Sequence, residues 1–294
     1  MTIRKHEAEV ALAVHAELGE GPVWDERSQE LYFVDITGRR VHAFSPGSAA
    51  HRSFPTSGPV GAVVLRDDGG LVLAAEDGFF FANSDGTAQE RFGDFRIDIG
   101  TVRFNDGKVS PGGSFVVGTM DHHGSRPVGS LYILKSDAAV SMLLDGVTVS
   151  NGLAWDSYGT TMYYIDTPTR CIDAFNFDQE TGRLSDRRVV AEITDGDGKP
   201  DGMAIDAEGY LWAACWGGFR VDRIDPADGR RLASVQVPTS HVSSVAFGGP
   251  SLEDLYITTA RQGLTAAQLA AEPHAGDLFV ARPGVPGLAP DCFK

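Results

Sequence analysis

Short apolar runs of five to seven residues recur along the whole chain, separated by clusters of Gly, Asp, Pro and Ser. The clearest are LYFVDI (31–36), LVLAA (71–75), SFVVGTM (114–120), MYYID (162–166), YLWAA (210–214) and DLYITTA (254–260). β-Branched and aromatic residues dominate these runs and turn formers bound them, so the pattern predicts strands of an antiparallel all-β protein. The 3.6-residue period of an amphipathic helix is nearly absent; only LTAAQLAAE (264–272) predicts a turn or two of helix.

The runs also come in pairs that repeat. EGPVWDERSQELYFVD (20–35), NDGKVSPGGSFVVG (105–118), NGLAWDSYGTTMYYID (151–166) and DGMAIDAEGYLWAA (201–214) each open on a polar residue, cross one strand, turn and return in a second. GAVVLRDDGGLVLAA (61–75) and SSVAFGGPSLEDLYITT (243–259) follow the same frame more loosely. Aligned on turn and second strand, Glu20, Gly61, Asn105, Asn151, Asp201 and Ser243 share a register position, with separations of 41, 44, 46, 50 and 42 residues. That interval suits a four-stranded propeller blade of about 40–50 residues. The expected fold is therefore all-β: a six-bladed β-propeller of four-stranded antiparallel blades around a central channel, with residues 1–294 as a single domain. Such rings close when one terminus donates a strand to the blade begun by the other. A strand near residues 8–15 is expected to complete the blade that contains 243–280.

The first strand of each blade lines the channel, so the register position recurs six times around one axis. Five of its occupants carry a side-chain oxygen: Glu20, Asn105, Asn151, Asp201 and Ser243. Turn preference accounts for Asn-Gly and Asp-Gly, but not for Glu20. Two carboxylates and one or two amides aimed at one point repel each other and lose hydration, and one divalent cation relieves both costs. All-oxygen donors accept Ca²⁺, Mg²⁺ or Mn²⁺, and carboxylates also accept Zn²⁺. Arg103 stands two residues before Asn105, on the same face of its strand. It is expected to bind a substrate hydroxyl or carboxylate, the alternative being an ion pair with Asp98 or Asp106. The eight histidines show no metal-ligand spacing, and His122–His123 reads as a loop pair.

Composition narrows the function. A net charge of −15 argues against nucleic acid, which needs a basic face. No apolar run approaches a membrane span, and the N-terminal MTIRKHEAEVALAVHAELGEG lacks the apolar core of a signal peptide. The three cysteines, Cys171, Cys215 and Cys292, have no CxxC spacing and read as reduced thiols. A cytoplasmic protein is expected, monomeric or weakly self-associating.

LGEGPVW (18–24), RFNDGKVSPGGSFVVGTM (103–120), NGLAWD (151–156), KPDGMAIDAEGYLWAACWGGFRVDRIDP (199–226), AFGG (246–249) and LYITTA (255–260) together resemble the SMP-30/gluconolactonase/luciferin-regenerating-enzyme family, which includes regucalcin and bacterial sugar lactonases. The resemblance spans nearly the whole chain in order. It implies a six-bladed propeller with one divalent metal held by Glu20, Asn151 and Asp201. It also implies that Asp201 is the acid/base and that Arg103 and Asn105 hold substrate. Regucalcin-like members place an acidic substrate contact shortly after GTM; here the position is taken by Asp121-His122-His123, with Asp121 as the substitute in a remodelled loop.

The expected activity is hydrolysis of a sugar 1,4- or 1,5-lactone to its aldonic acid. No nucleophile elbow and no Ser-His-Asp order favours covalent catalysis instead. Two alternatives keep the metal: a calcium-dependent phosphotriesterase or aryl esterase, and a calcium-binding propeller without catalysis.

Overall fold

A computed structural model of the chain describes residues 3–194 and 196–294. Six sheets form six blades, each with its first strand innermost. The inner strands are Gly19–Asp25, Val60–Leu65, Val102–Val109, Ser150–Trp155, Lys199–Ile205 and Val242–Gly248. Three further antiparallel strands complete each of the first four blades outward; in the fifth, Arg4–Glu7 adds a parallel fifth strand outside Arg231–Gln236. In the sixth, the outermost strand is Glu9–Leu12, paired antiparallel with Leu278–Ala281. The predicted six-bladed propeller is thus the observed one, and both N-terminal strands serve its last two blades.

The continuous apolar runs have a direct cause. Each blade is sandwiched between two others, so both faces of a middle strand are buried. In the second blade Val63, Leu65, Leu71 and Leu73 pack toward the first blade, while Ala62, Val64, Val72 and Ala74 pack toward the third. The described residues form six apolar clusters, each drawn chiefly from one pair of neighbouring blades. The cluster of Trp24, Phe33, Tyr256 and Leu278 closes the ring between sixth and first.

The expected helix is Ala266–Ala271, opened by a capping box between Thr265 and Gln268. Among the described residues no helix is long and apolar enough to cross a membrane. Residues 283–294 cross the channel end where the inner strands finish, held by Phe293 N–H to Leu65 O at 2.8 Å and by Ala207 N–H to Pro286 O at 2.9 Å. Beneath this strap lies a chamber of about 350 Å³, lined by Val63, Lys108, Trp155 and Ala289 among others. The inner strands begin at the opposite end, the mouth.

One regularity concerns the register position directly. Every inner strand slips against its neighbour there: between Glu20 and Val23, Val60 and Ala62, Phe104 and Gly107, Ser150 and Leu153, Pro200 and Met203, and Val242 and Ser244. A bulge re-aims a side chain that alternation would turn toward the next blade. Six bulges thus stand at one level, at or beside each register residue.

Gly61 has a steric reason to be the exception. A Cβ there would lie 2.5 Å from the carbonyl carbon of Phe104 and 2.7 Å from Asn105 O. Gly61→Ala is expected to cost about 1–3 kcal/mol, lowering Tm by several degrees, and to displace Asn105. Calorimetry checks this, and an unchanged Tm would refute the close packing.

Candidate functional site

At the mouth end of the channel Glu20, Asn105, Asn151 and Asp201 are all buried. The first two bulged strands of the set that bears amides are tied together: Asn105 Nδ2 donates to Asn151 Oδ1 at 3.1 Å and to Ser150 O at 2.7 Å. Asn151 Nδ2 in turn donates to Thr167 Oγ1 at 2.8 Å, and Thr167 donates to Pro200 O at 2.8 Å. Both amides are thereby oriented, and the third, fourth and fifth blades are linked immediately before Asp201. Thr167 went unmarked in the sequence because it lies in an ordinary turn, outside the repeated frame.

Arg103 donates through one nitrogen to Asn105 Oδ1 at 2.7 Å and to Phe104 O at 2.9 Å. Among the described residues it forms no ion pair with Asp98 or Asp106, and its Nε and Nη2 have no protein partner. Asp98 instead accepts from Gly100 and Thr101. The guanidinium stays available in the channel.

The carboxylates carry the electrostatic signature. Burial, and next the negative charge of Asp106, push Glu20 up to about 8, against the pull of the Gly21 N–H and Arg103. Burial, then Glu20 and Asp106, raise Asp201 well above the carboxylate range, opposed by the Gly202 N–H and Arg103. Asp201 Oδ1 is buried with no hydrogen-bond partner. Burial also lowers Arg103 to about 10, although Glu20 and Asp201 support its charge. Asp106 and Lys108 lie just below; Asp106 is raised chiefly by burial and relieved in part by Lys108, whose Nζ donates to Met203 O at 2.7 Å. Carboxyl groups perturbed by burial and like charge in a cleft mark a functional site.

An orphaned buried carboxylate oxygen has either a proton or a cation to satisfy it. Among the described residues no three His, Cys, Asp or Glu side chains converge to hold an ion by themselves. Glu20 and Asp201 are buried, the like charge of Glu20 raises the carboxyl group of Asp201, and with the amide oxygen of Asn151 they offer the oxygen chemistry of a hard divalent cation. Glu20, Asn151 and Asp201 therefore fit such an ion.

Two further residues of the sequence reading lie beside this network. Ser243 donates to Gly19 O at 2.5 Å and its Oγ lies 3.0 Å from Thr258 Oγ1, bracing the sixth blade on the first. Asp121 ends the second strand of the third blade, opposite Val102. Arg126 donates to its Oδ1 at 2.7 and 3.1 Å, and Ser125 donates to its Oδ2, so both oxygens are engaged by its own loop. His122 and His123 are exposed, with His122 Nε2 2.9 Å from Ile99 O.

Residues 18–261 match the SMP-30/Gluconolactonase/LRE-like region. Regucalcin of Xenopus laevis is 39% identical over 283 residues, covering 94% of each chain. A Bacillus subtilis (strain 168) protein named "Putative sugar lactone lactonase YvrE" is 38% identical over 278 residues, covering 95% of each. Among solved structures, a calcium-binding protein, regucalcin, from Agrobacterium tumefaciens superposes with a TM-score of 0.94 at 27% identity, covering 100% of this chain and 99% of that one. With every inner strand inside residues 18–261, the chain belongs to the SMP-30/gluconolactonase/LRE-like family.

Proposed function

We propose that the chain is a divalent-cation-dependent lactonase that opens sugar 1,4- or 1,5-lactones to aldonic acids. The observation that supports it most is the buried, unpartnered Oδ1 of Asp201 in the same channel as an Arg103 with two free nitrogens. Glu20, Asn151 and Asp201 hold the cation, which when bound supplies Lewis acidity toward the lactone carbonyl. The calcium-binding description of the Agrobacterium protein makes Ca²⁺ the first ion to test; Mg²⁺, Mn²⁺ and Zn²⁺ suit the same donors.

Asp201 accepts the proton of the attacking water as the new C–O bond forms at the carbonyl carbon. It then gives that proton to the ring oxygen as the acyl C–O bond breaks, so both hydrogens and the oxygen of water end in the hydroxy acid. Arg103 and Asn105 orient the sugar hydroxyls, a contribution of positioning. Asn105 is itself held between Arg103 and Asn151. Asp121, held in its loop by Ser125 and Arg126, is the third substrate contact, at the mouth. The reading implies a small-molecule substrate and a cytoplasmic enzyme, monomeric or weakly self-associating.

The test is a pH-stat panel of sugar lactones, run beside aryl esters and phosphotriesters, on chelator-treated protein with each divalent ion restored singly. Lactone turnover that returns with an ion is expected. Turnover of phosphotriesters without lactones would overturn the substrate assignment, and no turnover of either would leave a binding propeller.

A further inference from the structure

We propose that Trp216 and His241 form an aromatic shelf at the channel mouth, against which the apolar face of the sugar ring stacks. The inference rests on the lactonase reading and extends it to a group that fixes the substrate class. Trp216 ends the second strand of the fifth blade and pairs with Lys199, two residues before Asp201. Its indole stacks on the His241 ring with centroids 4.1 Å apart and planes 20° from parallel. The pair is held on several sides. Gly217 N–H donates to Ser240 O at 2.8 Å, Ala260 N–H donates to His241 O at 2.9 Å, and His241 Nδ1 lies 3.0 Å from Gln262 O. Trp216 also packs on the apolar cluster that contains Leu18, Ile36 and Ala260.

Three of the four tryptophans, Trp24, Trp155 and Trp212, are buried. Trp216 is only half-buried, and among the described residues its indole N–H has no protein partner and is open to solvent. A rigid, partly exposed aromatic pair with a free donor therefore stands beside the strand that carries Asp201. A pyranose or furanose lactone presents a hydroxyl edge and a C–H face. Arg103 and Asn105 suit the edge. The negative face of an indole attracts the slightly positive C–H hydrogens, and the indole N–H can donate to a ring hydroxyl. Burial keeps His241 below its ordinary pKa, so near neutral pH it stacks as an uncharged ring.

The test uses the metal-loaded full-length protein and two probes: glucono-1,5-lactone as substrate and the corresponding hydroxylated 1,5-lactam, which keeps ring and carbonyl but resists hydrolysis. Trp216→Ala is expected to raise KM about tenfold, the loss of roughly 1.4 kcal/mol of binding, with kcat within about threefold, and Trp216→Phe to restore most of the affinity. In the parent, saturating lactam is expected to shift or quench the red edge of the tryptophan emission, and Trp216→Phe to abolish that response. An unchanged KM in Trp216→Ala would overturn the shelf, as would equal losses of kcat at constant KM in both variants. Should the parent hydrolyse no lactone, the lactonase reading fails by itself; the emission then still decides, a lactam response supporting the shelf and a silent Trp216 overturning it.

Discussion

Asp201→Asn is expected to lower lactone turnover roughly 10²–10⁴-fold, the usual worth of a positioned acid/base group, while the propeller stays folded. The amide keeps the shape and one ligating oxygen but cannot accept the proton of the attacking water. The same substitution carries a second expectation of opposite sign. In metal-free protein Asp201 is buried beside Glu20 and Asp106, and its Oδ1 has no partner. Replacing it with a neutral amide removes that repulsion, so Tm in chelator is expected to rise. A carboxylate that serves only structure would give the reverse: full turnover and a lower Tm. Stopped-flow or pH-stat kinetics together with calorimetry in chelator separate the two cases.

Glu20→Gln is expected to change how stability depends on pH in the absence of metal. Glu20 is pushed up to about 8 in the fold, chiefly by burial and then by Asp106, from its ordinary value of 4.5. Between those values the folded chain holds a proton that the unfolded chain has released, so stability falls as pH rises. The contribution is complete below about pH 4.5 and is lost on passing about pH 8. Parent and Glu20→Gln should therefore match near pH 4.5, with the variant progressively more stable toward pH 8.5. A saturating divalent ion is expected to erase the deficit of the parent alone, because it binds the folded carboxylate and not the unfolded chain. Urea melts at three pH values, with chelator and with ion, measure the gap. A gap that stays flat, or widens toward acid, would contradict the placement of Glu20 among like charges.

Much of this was legible in the sequence for a specific reason. Both faces of each blade are buried, so apolar runs such as LVLAA are continuous, and six repetitions of one frame mark the period. The frame also brought Glu20, Asn105, Asn151 and Asp201 to one level before any coordinates. Site neighbours off the register position were not legible. Thr167 orients Asn151 from a turn, and Asp106 and Lys108 follow the register residue by one and three positions. The bulges beside the register residues depend on how two strands pair, which periodicity does not encode; glycines at 21, 107, 152 and 202 are their trace in the sequence. Ser243 shared the register with the site residues, yet its hydroxyl is spent on Gly19 and Thr258, a contact that only ring closure creates. The strand Arg4–Glu7 has no apolar alternation and gains its place by backbone pairing with Arg231–Gln236.

The most direct measurement is calorimetric titration of chelator-treated protein with Ca²⁺, Mg²⁺, Mn²⁺ and Zn²⁺, repeated in two buffers of different ionisation heat. At least one ion is expected to bind with a stoichiometry of one and to release protons near pH 7, with binding weakened in Glu20→Gln, Asn151→Ala and Asp201→Asn. Undiminished one-to-one binding by all three variants would show that the channel residues do not share an ion, and the proposed chemistry would fall with them.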